Sequence, residues 1–220
     1  MRKTEFPVSP RRNIRLAHDW RLSASGDVRK ALIGDFIRPA VRAVPSEMAR
    51  QIGMCRFSLV AELPDPDLTS QWTFKAREVE VRVASADRDD HDTAMELLVC
   101  LGQILWERLT PDQLKGYWHL LDAEFHAGIE GEIDEEAFAK KRMLLRDGFS
   151  ARSRSRLQRY ARTSFSETAA EYIHCLWHDV HVISGSQHLP PHQLQHRLEL
   201  FQRCFPPDRG YTLFSQPRSR

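Results

Sequence analysis

The sequence has no run of about eighteen apolar residues, the length a helix needs to cross a bilayer, so no membrane-spanning helix is expected. It has few cysteines. Cys55, Cys100, Cys175 and Cys204 are widely spaced without a Cys-x-x-Cys pair, and contexts such as LLVCLGQ and IHCLWH read as buried thiols. Its ten glycines form no Walker loop, no G-x-G-x-x-G and no G-x-S-x-G, which removes support for nucleotide binding and serine hydrolase chemistry. Nothing suggests PLP, flavin or haem. Charge of one sign is lacking too: 32 basic and 30 acidic side chains leave a formal charge of +2, so a nucleic acid or an anionic membrane could be met only by a local patch. Residues 1–16 carry Arg2, Lys3, Arg11, Arg12 and Arg15 without the apolar run of a signal peptide, and a cytoplasmic protein is expected.

With 220 residues and 41% apolar content, one domain is the default. Residues 1–26 are polar and basic without a sustained period and read as a basic flexible arm that Trp20 could pin down. From Asp27, a possible N-cap, Val28, Leu32 and Phe36 share a helical face until Pro39 and Pro45 kink or end the helix. In 55–63, Phe57 and Leu59 alternate with Arg56 and Ser58 as in a strand. Val79, Val81 and Val83 alternate within 72–83, a stretch with room for one or two further strands. Helices follow at 93–109, 112–127, 134–146, about 151–162, 165–183 and 191–204, and a tail wraps the surface from Pro206. The fold class is α+β and mostly α-helical: an N-terminal helix and small sheet, then a helical body over 27–205.

Each helical residue advances ~100°, which places Glu96, Cys100, Gln103 and Glu107 in a polar stripe within roughly 60° of arc. The helix 165–183 has a second stripe of Glu167, Glu171, His174 and His178, opposite Ala169, Ile173, Leu176 and Val180. Glu171, His174 and His178 occupy successive turns of one face, the separation from which side chains reach a common metal such as zinc or another divalent transition ion. Glu167 or Glu96 could then serve as the acid/base of a hydrolytic site. The plain alternative is that both stripes look at water.

The order helix, short strands, acidic turn, long helix with a central glycine and a later Glu-bearing helix resembles the zincin metallopeptidase fold, gluzincin-like, over roughly 28–183. The family's His-Glu-x-x-His would fall on Val99, Cys100, Leu101, Gly102 and Gln103, of which only the glycine matches its His-Glu-x-Gly-His form. Glu167 resembles the downstream third ligand. Val99 has no lone pair for zinc, Gln103 is a poor ligand, and Cys100 replaces the carboxylate that activates water. The resemblance therefore implies a degenerate metallopeptidase scaffold without ordinary zinc peptidase activity, a pseudoenzyme acting as a binding or regulatory domain.

A third reading is a helical interaction module. Arg152, Arg156 and Arg159 share a helical face within a basic run, which with the basic arm suits an anionic partner, an acidic protein or a nucleic acid. No aromatic stacking platform or known module argues for nucleic acid. The plain alternative is a solvated face whose arginine stems cover apolar neighbours. The acidic turn Asp87, Asp89, Asp90, His91, Asp92 lacks the spacing of a calcium loop, and GIEGEIDEE reads as a turn with Asp134 capping the next helix. Trp72, Trp106, Tyr117, Trp118, Phe125 and Trp177 are assigned to the core.

Overall fold

The computed structural model describes residues 12–26, 28–86, 88–147, 153–178 and 187–213. It is α+β and mostly helical, with a five-stranded sheet followed by a helical body. Contacts divide the chain into two compact units, Met1–Arg42 with Gly53–Leu97 and Ala43–Ile52 with Leu98–Arg220. No helix among the described residues is long and apolar enough to cross a membrane.

In the first unit the strands are β1 (Arg12–Arg15), β2 (Arg21–Ala24), β3 (Cys55–Val60), β4 (Ser70–Phe74) and β5 (Val79–Ala84), in the order β1-β2-β3-β5-β4. The central strands β2, β3 and β5 run parallel, while β1 and β4 are antiparallel edges. Two-residue alternation puts Leu22, Phe57 and Val81 in one cross-strand row and Ala24, Leu59 and Val83 in the next, all buried.

Residues 12–24, inside the stretch expected as an arm, thus form two strands. Trp20 pins them: it is 1% exposed, its Nε1 donates to Gly53 O at 2.8 Å, and its ring meets the Phe57 ring edge-on at 5.6 Å. The turn between β1 and β2 uses positive φ at His18 and Asp19.

A parallel step from β2 to β3 needs a crossover. It consists of a π-helical stretch Leu32–Ile37, then α1 (Arg38–Ala43) and α2 (Ser46–Ile52). Pro39 lies inside α1 without ending it. The ladder has already shifted just before it, where Arg38 N–H reaches Ile33 O, and a π turn is one way a helix absorbs a proline's missing donor. Asp27, the expected N-cap, lies outside the described residues.

Helix α3 (Asp90–Trp106) contains the division between the units. The helical unit continues with α4 (Pro111–His126), α5 (Glu135–Asp147), α6 (Ser153–Trp177) and α7 (Pro191–Cys204). Thr110 and Gln113 form a capping box that starts α4. Among the described residues the two helices expected over about 151–162 and 165–183 are one, α6, and Val180 of the expected apolar face lies outside the described residues. The expected gap at Thr163 and Ser164 is continuous helix, and the hydroxyls just after it turn back onto that helix, Ser166 Oγ donating to Arg162 O at 2.8 Å and Thr168 Oγ1 to Ser164 O at 2.7 Å. Tyr117, Phe165, Tyr172 and Phe201 form the aromatic centre, all buried. Trp72, Trp106, Trp118, Phe125 and Trp177 are only half-buried.

Candidate binding face and a sealed ion network

The side of the sheet opposite its buried rows is polar. Register places Arg15, Arg21, Arg56 and Glu80 side by side in one cross-strand row, and Asn13, Ser23, Ser58 and Arg82 in the next. Adjacent strands lie about 4.8 Å apart, so three arginine stems stand abreast over about 10 Å. Like charges in directly opposed positions oppose pairing. Arg15 is held by Asp19, and Arg56 is held two-pronged by Glu78, with Nε to Oε1 at 2.9 Å and Nη2 to Oε2 at 3.2 Å. Arg21 and Arg82 are exposed and have no carboxylate partner among the described residues. The two rows border an open cleft of about 920 Å³, and a neighbouring nook of about 260 Å³ continues from Ser23, Ser58 and Arg82 to Ser25. No aromatic ring belongs to these rows, because Trp72 pairs with Val81 and Phe74 with Val79 on the other face.

The strongest electrostatics of the helical unit are elsewhere and shut away from solvent. Arg197 of α7, 0% exposed, grips Glu124 of α4 with Nε to Oε1 at 2.8 Å and Nη2 to Oε2 at 2.6 Å. The same guanidinium donates to Glu132 Oε2 and Oε1 at 2.8 and 2.9 Å. Glu132 also accepts from Lys141 Nζ at 3.1 Å and from the Tyr160 hydroxyl, while Ser164 links Arg197 to Tyr117. Two cations thus balance two carboxylates.

Burial pushes the Glu132 carboxyl up, but Arg197, Lys141 and the Tyr160 hydroxyl outweigh it and bring it down to about 2. Burial raises the Tyr117 phenol to about 12 and the Tyr160 phenol well above its ordinary value. Glu132 is held in place by a strand-like pairing, its N–H donating to Gln187 O at 3.0 Å and its carbonyl accepting from Leu189 N–H at 2.9 Å. Gly131 is required there, since a Cβ would lie 2.1 Å from His188 O.

Sequence reading passed over this network, treating GIEGEIDEE as a plain turn. Asp134 does sit at the start of α5, accepting from Glu136 N–H at 2.6 Å, but Glu132 two residues earlier is the centre of the network. A signal was present. Glu124 continues the buried series Tyr117 and Leu121, Lys141 lies between Ala137 and Leu144, and Arg197 adjoins Leu198 and Phe201. Charges of balancing sign on apolar helical stripes point to a common buried partner.

The stripe on α3 is not a solvated face, because Cys100 is buried and Gln103 half-buried. Glu96 is joined by the Ser70 hydroxyl and lies 3.6 Å from Arg88, and Glu107 pairs with Arg162 of α6 at 3.2 Å. On α6, Glu167 is half-buried, His174 is buried with Nδ1 3.5 Å from Glu171 Oε2, and the His178 ring stacks on His174 at 5.4 Å. Between the histidines, Cys175 Sγ lies 3.8 Å from Glu171 Oε1, and burial followed by that carboxylate raises its thiol pKa. Among the described residues no group of three or more His, Cys, Asp or Glu is arranged to hold a metal ion.

Val99 is half-buried beside Cys100. Gly102, the one residue of α3 matching the peptidase motif, has a packing role: a Cβ there would lie 2.7 Å from Ser166 O and 3.1 Å from Ala169 Cβ, so α3 and α6 need a glycine to approach. Arg156 and Arg159 are exposed on α6, and Arg152 lies outside the described residues. No family model, no curated protein and no solved structure matches this chain.

Proposed function

We propose that the chain is a non-catalytic binding domain whose sheet holds an acidic segment of a partner protein across Arg15, Arg21, Arg56 and Arg82. The observation that carries this reading is the arginine row on an open polar face above parallel strands. Parallel strands are ordinarily covered on both faces. Abreast arginines oppose their own sheet, a local cost of the kind kept where a site needs it. Guanidinium forks match carboxylates two-pronged, and with Arg15 and Arg56 already held by Asp19 and Glu78 it is Arg21 and Arg82 that an acidic occupant pairs. Without an aromatic platform, base stacking has no partner, which disfavours a nucleic acid. The non-catalytic part rests on access: Glu132, Tyr117 and Tyr160, with their displaced pKa values, are sealed from solvent.

The test is fluorescence anisotropy with a labelled peptide of alternating Asp and Glu, beside its Gln/Asn counterpart. Saturable binding of the acidic peptide alone, weakened by salt, supports the reading. Equal binding of both peptides, or of neither, ends it.

A second reading, a rebuilt metal site for hydrolysis, is favoured by the approach of His174 to Glu171 and the stacking of His178 on it. It takes the zincin-like resemblance as a scaffold whose metal has moved from α3 to α6. Its test is the metal content of untagged protein beside a His174→Ala/His178→Ala variant. Stoichiometric zinc, iron or manganese lost in the variant supports it, and metal-free folded wild type removes it.

A further inference from the structure

The nook beside the arginine row differs chemically from the row itself. It lies at the carboxyl ends of the parallel strands β2 and β3, where open sheets with helical crossovers ordinarily take their ligands. Its polar side chains are the hydroxyls of Ser23, Ser25 and Ser58 and the guanidinium of Arg82. Ser23, Ser58 and Arg82 are adjacent in one cross-strand row, so their spacing is set by the ladder rather than by loops. Ser25 follows directly on β2 and is tied to β3 through its N–H to Leu59 O at 3.4 Å.

The Ser25 Oγ is shut off from water and has no hydrogen-bond partner among the described residues. A closed-off hydroxyl without a partner costs free energy until an acceptor arrives, and rotation about one bond among three staggered positions is enough to find it. Leu59, Val60 and Ala61 supply the apolar wall, and their carbonyls are already occupied by Ser25, Ser85 and Ala86 N–H groups.

Three hydroxyl donors around one cation suit a group with three terminal oxygens at tetrahedral directions. A planar carboxylate is already satisfied by one guanidinium fork. We infer that the nook seats the phosphoryl group of a phosphorylated serine or threonine in the bound acidic segment, with Arg82 pairing its charge and Ser23, Ser25 and Ser58 donating to its oxygens. This rests on the acidic-segment reading and adds the identity of one side chain of that segment. At neutral pH such a group carries nearly two negative charges, against one for an aspartate or glutamate.

The test uses the full chain and three labelled peptides identical except at the centre, Asp-Glu-Asp-X-Asp-Glu-Asp with X as phosphoserine, glutamate or serine. The phosphoserine peptide is expected to bind roughly tenfold more tightly than the glutamate peptide, the effect of one added charge-assisted hydrogen bond. In Ser25→Ala the ratio of the two dissociation constants falls toward one, and in Ser25→Thr, which keeps the hydroxyl, it is retained. Circular dichroism establishes that both variants are folded. Equal binding of the phosphoserine and glutamate peptides by wild type overturns the phosphoryl site while leaving the acidic-segment reading in place. Binding of none of the three overturns both. A tenfold preference that survives in folded Ser25→Ala overturns the assignment of the nook.

Discussion

Replacing Arg197 with methionine removes the cation that grips Glu124 and Glu132 from the centre of the helical unit while keeping most of the side-chain volume. Four nitrogen-to-carboxylate hydrogen bonds of 2.6–2.9 Å are lost together, along with the one to Ser164. Glu132 retains Lys141 and Tyr160, whereas the Glu124 carboxylate has no other hydrogen-bond partner among the described residues. Breaking a buried pair by removing one partner costs about 3–5 kcal/mol, because the remaining charge stays buried. With a urea m-value of about 2 kcal/mol/M, the unfolding midpoint drops by roughly 1.5–2.5 M.

The assay is urea unfolding followed by far-UV circular dichroism at about pH 7 and again at about pH 5. A buried carboxylate left without its cation regains stability when protonated, so the deficit narrows at the lower pH. Arg197→Lys, which keeps the charge and loses the fork, falls between wild type and methionine. A loss below about 1 kcal/mol, or a deficit independent of pH, refutes the reasoning.

Wild-type acid stability follows from Glu132. Its folded-state pKa lies at about 2, below the ordinary 4.5, so its contribution is present above pH 4.5 and is lost as pH falls toward 2. Over that interval the loss amounts to roughly 3 kcal/mol, and Glu132→Gln gives a flatter acid limb in the same unfolding assay. Gly102→Ala forces α3 off α6 and costs about 1–3 kcal/mol despite alanine's better helix propensity. Gly131→Ala, whose Cβ would meet the His188–Leu189 peptide group, costs at least as much in the same assay. Trp20→Ala removes a buried indole and its bond to Gly53, lowering stability by about 3–5 kcal/mol and loosening hydrogen-exchange protection in β1 and β2.

The elements legible in the sequence were those whose period is local. Val79, Val81 and Val83 announced β5, Phe57 and Leu59 announced β3, and the helices from α3 to α5 and α7 followed their apolar spacing. Strands β1 and β2 escaped because each has four residues, is rich in arginine and polar side chains, and gains its identity from pairing, β2 with β3 and β1 with β2. The arginine face escaped for the same reason: the Arg15/Arg21 pair, Arg56 and Arg82 are remote from one another in sequence and come side by side only through register. For Glu171, His174 and His178, helical spacing did foretell a shared face, but spacing cannot say how deep a face lies. His174 turned out buried and His178 exposed.

The most direct test of the account is the affinity of the full chain for the alternating Asp/Glu peptide, measured beside an Arg21→Glu/Arg82→Glu variant. Both residues are exposed and without carboxylate partners among the described residues, so the fold has little to lose by their reversal. The account predicts saturable binding by wild type that weakens at least about tenfold in the variant and fades as salt rises from about 0.05 M to about 0.5 M. Undiminished binding by a folded variant, or no binding by wild type at low salt, would contradict it.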